Sequence, residues 1–368
     1  MHRSTFLSPV ALVLALAASG CGGDTPSAPA AAPPARVSAV PNTGVREVTD
    51  LGTFGFDHGF GFEINNSGEV AGRTDLGPPN APTVSHAVFW STLTGPVDLG
   101  TLGGPGSEAR ALDDHGTVVG FAQKPGDAFF QHHPTVWRVG PDGAVETTEL
   151  GPFPQGQAED VNDGGVVVGW AAASTTAPPV AFRWTADGGI VSLPPLGGPR
   201  SQAFGINAAG DVVGSSTVLP PPFADHAVVW WSDGTVTDIG SMGGNTAARS
   251  INALGQVVGA GQPCPGCQFH AFYWSAEDGI IDLGTFGGFR SFAFEIDNRG
   301  RVTGFYETPG VRHAFVWTKE GGKVDLPTLG GAESSTGSIN GRGQLTGRAA
   351  DATGAEHAVI WQLGPAAP

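Results

Sequence analysis

Six histidines occur at one position of a repeated sequence, each of them four residues before a tryptophan. On a β-strand, side chains four residues apart point to the same face. Imidazole is a common metal ligand, but copies that occur once per repeat are spread through the fold and cannot converge on one ion. We therefore expect each imidazole to bond a backbone or Asx partner in its own repeat, and we expect no metal or other cofactor. The six residues are His86, His133, His226, His270, His313 and His357.

A second candidate is the pair Cys264 and Cys267, which flank a Pro-Gly turn in a single repeat. A CxxC pair can be redox-active or can form half of a zinc site. The chain has three cysteines and no second CxxC, and its N-terminal sequence, described below, indicates export. We therefore predict a local disulfide, with zinc binding as the alternative.

An Asn or Asp ends one segment of every repeat, and a glycine follows three residues later. These oxygens could serve Ca²⁺, but a hard cation needs several converging oxygens and each turn offers one or two. Asx side chains bond their own backbone and glycine accepts positive φ, so the pattern predicts tight hairpin turns. The Asx positions are Asn65, Asp113, Asn162, Asn207, Asn252, Asp297 and Asn340.

The elements that position these residues recur seven times along the chain. A tryptophan closes each unit, with spacings of 43 to 47 residues. Each unit holds four short segments with strand patterns and no useful helix-period segment. Four-stranded units of this length predict an all-β, seven-bladed β-propeller. The tryptophans are Trp90, Trp137, Trp184, Trp230, Trp274, Trp317 and Trp361.

The order of the segments predicts how the ring closes. If the Asx-ended segment is the first strand of a blade, the chain begins with a fourth strand, residues 46–51, and ends with a third strand, residues 357–361. We expect the N-terminal strand to complete the last blade, so that no edge stays exposed. The propeller would then span residues 46–361, and residues 362–368 would form a C-terminal tail.

The recurring segments resemble a known family. The patterns HAF-x-W, DLGTLGG and IN-x-x-G-x-VVG recur in order through residues 46–361. They resemble the bacterial extracellular repeat proteins of the HAF family. This resemblance implies an exported or surface-attached repeat protein of undetermined biochemical activity, and it carries over no catalytic residue.

The N-terminus has the features of an export signal. A short basic start precedes an apolar run over residues 6–18, which has the dimensions of a signal-peptide core and is too short for a membrane span. Residues 18–21, Ala-Ser-Gly-Cys, resemble the bacterial lipobox, so residues 1–20 would be a lipoprotein signal peptide and Cys21 the lipid attachment site. Ordinary cleavage near Ala17 is the alternative. Residues 21–45 would form an Ala- and Pro-rich linker to an outer-membrane or cell-surface domain.

Charge and motif content restrict the function. The chain carries 34 acidic and 18 basic residues, a net charge of −16, which disfavours nucleic acid and anionic lipid surfaces. It contains no GxSxG, HExxH, EF-hand or phosphate-binding motif, so we assign no catalytic residue. A binding or scaffolding role for a glycan or an envelope protein is favoured. A polysaccharide-active hydrolase or lyase with an axial site, and a purely structural envelope protein, are the alternatives.

The connections between the second and third strands vary from repeat to repeat, and function usually lies in such loops on a rigid scaffold. Aromatic and charged residues in these connections are therefore candidates for contact with a neutral or cationic partner. We expect one patch near Phe129, Phe130 and Trp170. The remaining candidates are Phe223, Tyr306 and Arg312.

Overall fold

The computed structural model describes residues 35–38, 44–54, 58–76, 84–220 and 224–364, the first of these ranges by its backbone alone. All regular structure in these residues is β-strand, arranged in seven antiparallel sheets. The predicted seven-bladed propeller is therefore confirmed. Within the same residues there is no helix of the length and apolar character needed to cross a membrane.

Six blades are complete four-stranded sheets formed by consecutive segments. The first three consist of β3 (His58–Ile64), β4 (Val70–Leu76), β5 (Val84–Ser91) and β6 (Gly95–Asp98); β7 (Ser107–Leu112), β8 (Thr117–Ala122), β9 (His133–Val139) and β10 (Val145–Glu149); and β11 (Gln155–Val161), β12 (Val167–Ala172), β13 (Val180–Thr185) and β14 (Gly189–Ser192). The next three consist of β15 (Gly197–Ile206), β16 (Val212–Val218), β17 (Asp225–Trp230) and β18 (Val236–Gly240); β19 (Thr246–Ile251), β20 (Val257–Gly261), β21 (His270–Ser275) and β22 (Gly279–Gly284); and β23 (Arg290–Ile296), β24 (Val302–Thr308), β25 (Val311–Thr318) and β26 (Gly322–Asp325).

The seventh blade joins the two ends of the described chain. It contains β27 (Gly330–Ile339), β28 (Gln344–Asp351) and β29 (Glu356–Leu363), and β29 pairs with the N-terminal strand β2 (Val45–Gly52). A short strand, β1 (Ala35–Ser38), pairs with the outer edge of β2. The three-plus-one closure is therefore observed.

Three boundaries differ from the prediction. The closing strand is longer than residues 46–51. The fifth strand β1 lies in the segment assigned to a linker. The last strand continues into the segment assigned to the tail, because Leu363 is buried in the core beside Val45. The sheet extends beyond the repeated motif because the extension buries Val45 and Leu363 and lengthens the hydrogen-bond ladder between β2 and β29.

The hydrophobic core is divided among the junctions between blades. Each of seven apolar clusters combines residues from two neighbouring blades. In the junction between the first two blades, Phe89 packs with Leu112 and with the fully buried Trp137. Because each blade buries its faces only against its neighbours, the ring is needed to complete every core.

The repeated motif also connects neighbouring blades by hydrogen bonds. In the first blade, the backbone N–H of Ala87 donates to Ser107 Oγ of the second blade (2.9 Å), and Ser107 Oγ donates to the Gly100 carbonyl (2.7 Å). Ser291 makes the same two contacts with Ala271 and Gly284. The Ala of HAF and the Gly of DLG thus serve assembly of the blades.

Candidate functional site

A cavity of about 440 Å³ lies on the propeller axis and is lined by residues of all seven first strands. Residues of β4, β24, β25 and β28 also contribute, and neighbouring cavities on this side include blade-to-blade crossovers and second-to-third connections. The cavity therefore opens on the face where those two kinds of loop lie. We call it the axial cavity.

A ring of side chains in this cavity arises from a recurring irregularity in the first strands. In six blades the pairing with the second strand skips one residue, and in the seventh blade the shift spans Gly337 and Ser338. A bulge of this kind re-aims a side chain. All of the shifted positions line the cavity: Phe62, Arg110, Glu159, Phe204, Arg249, Phe294 and Gly337.

Sequence reasoning missed this ring, although a signal was present. The shifted residue lies three positions before the Asx of each repeat, after a small residue and two positions before an aliphatic one, both of which hardly vary. Its own identity changes from Phe to Arg, Glu or Gly. A position that varies within an otherwise regular strand has no role in building the blade.

Arginine and phenylalanine side chains pack together in the axial cavity. The guanidinium of Arg249 lies 4.2 Å from the centre of the Phe204 ring. Arg73 and Arg348 lie 4.7 and 4.9 Å from the centre of the Phe60 ring. Such cation–π contacts orient guanidinium groups while leaving donors free for a ligand.

Glu108 holds two of these arginines. It is 4% exposed, and its two carboxylate oxygens lie 2.6 Å from Arg73 Nη1 and 3.0 Å from Arg110 Nε. Burial acts to raise the pKa of Glu108, but the charges of Arg110 and Arg73 outweigh it, and the pKa is lowered. Glu108 is therefore ionised at neutral pH and fixes part of the cavity wall.

Three other carboxyl groups lie deeper on the axis, one position after the shifted residues. They are Glu63, Asp160 and Glu295, and Glu63 and Glu295 also line the cavity on the opposite face. Their side chains keep some exposure to solvent, but protein atoms surround them in the narrow channel. Loss of hydration is therefore the main cause of their pKa shifts. Burial raises the pKa of Asp160 to about 7 and, with the charge of Asp160, that of Glu295 to about 8. Burial, Glu295 and Asp160 raise the pKa of Glu63 well above its ordinary value.

These carboxyl groups also connect blades. Asp160 Oδ2 accepts the N–H of Ile206 in the next blade at 2.8 Å. Ser250 donates to Glu295 Oε1 at 2.6 Å, again between neighbouring blades. Among the described residues, no group of three or more His, Cys, Asp or Glu side chains is arranged to hold a metal ion.

The opposite mouth of the channel, a cavity of about 320 Å³, is surrounded by the Asx turns. Asn65 Oδ1 accepts the N–H groups of Ser67 and Glu69, and Gly68 has φ of 82°. This is the expected hairpin geometry.

In five blades the Asn Nδ2 also donates to the Asx carbonyl of the following blade, which the sequence did not predict. The pairs are Asn65–Asp113, Asn162–Asn207, Asn207–Asn252, Asn252–Asp297 and Asn340–Asn65.

The repeated histidines bond within their own blades. In four blades the imidazole Nδ1 lies 2.8 to 3.0 Å from the Asp of the fourth strand: His86–Asp98, His226–Asp238, His270–Asp282 and His357–Asp50. Burial acts to raise the pKa of Asp98, but the hydrogen bonds from His86 and from the Gly100 N–H outweigh it, and the pKa is lowered.

Two histidines depart from this arrangement. In the second blade Glu149 takes the place of the Asp in the fourth strand and lies 3.2 Å from His133 Nδ1, while Asp127 lies 3.2 Å from His133 Nε2. His313 Nε2 lies 2.9 Å from Thr308 Oγ1. In that blade the Asp of the fourth strand, Asp325, is paired with Lys323 instead.

The tryptophans lie at the blade junctions. Trp137 and Trp361 are fully buried, and Trp90, Trp230 and Trp274 are buried within neighbouring clusters. Trp184 and Trp317 are partly buried and pack against the same kind of cluster. Trp361 Nε1 also donates to the Pro327 carbonyl at 2.8 Å.

The two cysteines of the fifth blade form the predicted disulfide. Cys264 and Cys267 are bonded, with Cα atoms 5.2 Å apart. The N–H of Cys267 donates to the Cys264 carbonyl, which closes the turn between β20 and β21.

The candidate binding residues do not all lie where the sequence placed them. Phe129 and Phe130 are 61% and 74% exposed, pack edge to face in the β8–β9 connection, and line a cavity beside the axis. Trp170 lies in β12 rather than in a loop, and its Nε1 donates to Glu159 at 3.0 Å. Its side chain therefore holds Glu159, one of the shifted residues that line the axial cavity.

Two further candidates lie on strands, because β24 and β25 are joined by residues 309–310 alone. Tyr306 is 9% exposed in a blade core, stacked on His313. Its assignment to an exposed connection is corrected. Arg312 lines the axial cavity. Phe223 and Cys21 lie outside the described residues.

Solved β-propeller structures resemble the chain at low sequence identity. No model of a known protein family matches the chain, and no curated protein sequence matches it. The β-propeller domain of the Trilobed protease from Pyrococcus furiosus, described as having an open velcro topology, superposes with a TM-score of 0.55 at 10% identity, over 83% of this chain and 93% of that one.

Two other likenesses involve larger proteins. Pyrococcus horikoshii acylaminoacyl peptidase has a TM-score of 0.54 at 12% identity, over 86% of this chain and 53% of that one. TolB from Acinetobacter baumannii has a TM-score of 0.50 at 14% identity, over 72% of this chain and 64% of that one. These likenesses show the propeller fold alone.

Proposed function

We propose that the protein is a glycan-binding module whose site is the axial cavity. One observation carries this proposal. The side chains that differ from blade to blade converge at one end of the axis, whereas the repeated side chains join strands and blades. Rigid propellers present function in such non-repeated positions.

The chemistry of the cavity suits a sugar. Partly exposed Phe204 and Phe294 offer apolar ring faces, and Arg249 offers fixed donors beside them. Sugars combine apolar CH faces with many hydroxyl groups, which donate to carboxylates and accept from guanidinium groups. Glu159 supplies an acceptor from the same ring.

Binding to a panel of immobilised polysaccharides tests the proposal. We expect the purified domain to bind at least one glycan, and Phe204→Ala and Phe294→Ala to weaken that binding several-fold without lowering the melting temperature much. Phe289→Ala is the matched control, since Phe289 is 55% exposed and does not line the axial cavity. A panel without any binding, or equal losses in all three variants, contradicts the proposal.

A hydrolase or lyase acting on polysaccharides is the second candidate, and the axial carboxyl groups favour it. Asp160 and Glu295, with pKa values raised to about 7 and about 8, could exchange protons near neutral pH. If the wild type releases reducing or unsaturated chain ends and Glu295→Gln does not, the protein is an enzyme rather than a binding module.

We also propose that the protein is an exported lipoprotein of the HAF-repeat type. The signal-like residues 1–20, Cys21 and the ordered recurrence of the motif support this assignment. An envelope protein as the partner, or a purely structural role, would be indicated if no glycan binds.

A further inference from the structure

Two clefts flank the axial cavity on the same face and share its walls. The first, of about 500 Å³, lies between the first two blades, includes Phe129 and Phe130, and shares Arg73, Glu108 and Arg110 with the axial cavity. The second, of about 550 Å³, lies between the sixth, seventh and first blades and shares Arg312 and Arg348 with it. We call the three together the groove.

The groove is longer than a compact ligand requires. Each of its three parts, at 440 to 550 Å³, is within the range of a complete small-molecule pocket. Because each cleft shares lining residues with the axial cavity, the three form one path that runs from the second blade, past the first, to the sixth and seventh. A path of this form fits a chain better than a single ring.

Four of the five arginines that line this path pair with carboxylates, among them Arg348 with Glu356 at 3.0 Å and Arg73 with Asp75 at 3.5 Å. Glu108 is shared by Arg73 and Arg110. Glu307 contacts Arg290 at 2.7 Å, which leaves it 3.9 Å from Arg312.

Arg249 is the groove arginine whose charge is least compensated. Among the residues that the structure describes, no acidic side chain forms a salt bridge with it; it is exposed and stacked on Phe204. Arg249 and Arg312 therefore keep donors for an anion, and planar guanidinium matches carboxylate.

We propose that the groove binds an extended acidic polysaccharide, with the carboxylates of its uronic acid residues held by Arg249 and Arg312. This inference rests on the proposed glycan binding and specifies its ligand. It also revises the expectation of a neutral or cationic partner, because, among the described residues, Arg249 has no salt bridge and Arg312 lies 3.9 Å from its only carboxylate contact.

Other features of the groove favour a sugar chain over an acidic peptide or a phosphate chain. Glu159 and Glu333 also line it, and sugar hydroxyls can donate to them whereas phosphodiesters carry no donor. The phenylalanine rings along the axis match the CH faces of sugar rings. The raised pKa values of Asp160 and Glu295 keep those groups largely neutral in mildly acidic solution, which reduces repulsion of an anion.

Calorimetry with oligogalacturonates of one to eight residues tests the inference on the purified domain. Fully methyl-esterified oligomers of the same lengths are the matched neutral probes. We expect affinity to rise with length beyond two residues, and to fall about tenfold or more on esterification. Arg249→Gln combined with Arg312→Gln should reproduce that fall for the acidic series while leaving the melting temperature nearly unchanged.

Arg138→Gln is the control variant, because Arg138 is exposed on β9 and lines none of the three cavities. Equal binding of acidic and esterified oligomers, no gain with length, or no binding of either series overturns the inference. The glycan-binding proposal survives those outcomes if the polysaccharide panel yields a neutral ligand that depends on Phe204. Competition by poly-glutamate as strong as by oligogalacturonate would assign the groove to acidic peptides instead.

Discussion

His357 Nδ1 lies 2.9 Å from Asp50 Oδ1, although 307 residues separate them in the chain. In three other blades the same pair is 12 residues apart. The seventh blade therefore reproduces the local contact by bringing the N-terminal strand β2 beside the C-terminal strand β29. The strand that closes the ring thus makes the His–Asp contact found within three other blades.

Removal of the closing strand should destabilise the whole propeller. A truncation that starts at residue 53 loses the β2–β29 ladder and the buried Val48 together. We expect a large loss against a total stability of roughly 5–15 kcal/mol, seen as a strongly lowered melting temperature. A truncation that starts at residue 44 removes β1 alone and should melt nearly as the full chain does. Similar melting of both truncations would show that closure contributes little.

The ring of Asx contacts predicts opposite effects for two exchanges at neighbouring blades. Asn162 Nδ2 donates to the Asn207 carbonyl at 3.0 Å, so Asn162→Asp removes a buried donor and should cost about 1–3 kcal/mol. Asp113 has no donor for the Asn162 carbonyl, so Asp113→Asn should be neutral or stabilising. Its oxygen can still accept the N–H groups of His115 and Thr117.

Urea denaturation of the two variants checks this prediction, with the slope of the transition as a test that the denatured state is unchanged. A destabilising Asp113→Asn, or a harmless Asn162→Asp, would contradict the assignment of the side-chain amides to blade-to-blade contacts.

The axial carboxyl groups predict a stability that falls as the pH rises. In the folded state the pKa of Glu295 is raised to about 8, so the folded protein binds this proton more tightly than the unfolded chain does. Its contribution is fully present below the unfolded pKa, near 4.3, and is lost as the pH rises through about 8. The groups facing Glu295 are Glu63, Asp160, Asp297 and Ser250.

Glu295→Gln should therefore reduce the difference between the melting temperatures at pH 5 and pH 8. The amide oxygen can still accept the hydrogen bond from Ser250. Glu333→Gln, on the outer part of the groove, is the control and should leave the profile unchanged. Parallel melting profiles of wild type and Glu295→Gln would refute the raised pKa.

The lipoprotein prediction is tested by Cys21→Ser. We expect it to abolish incorporation of labelled fatty acid and to move the protein from the membrane fraction to the soluble fraction. More than one acyl chain is needed for stable anchoring, since a single chain binds only marginally. A soluble wild type whose mature sequence starts near residue 18 would instead support ordinary signal cleavage.

The sequence by itself determined the parts of this protein that depend on local, repeated chemistry. The period of the tryptophans predicts seven blades, and the Asx-x-x-Gly spacing predicts the hairpins, because turn geometry depends on a few adjacent residues. The order of the segments predicts the closure by β2, since an unpaired edge strand is costly. The pair Cys264–Cys267 is equally local, because its members are three positions apart in the chain.

Only the tertiary structure decided where the non-repeated chemistry collects. Arg249 and Phe204 lie in different blades, and a shift of one residue in each first strand turns such side chains toward the axis. Regular alternation predicts strand faces but does not show which residue a bulge re-aims. The same limit explains why Tyr306, expected in an exposed loop, lies in a blade core, and why Arg312 lines a groove: burial depends on neighbouring blades, which no single repeat contains.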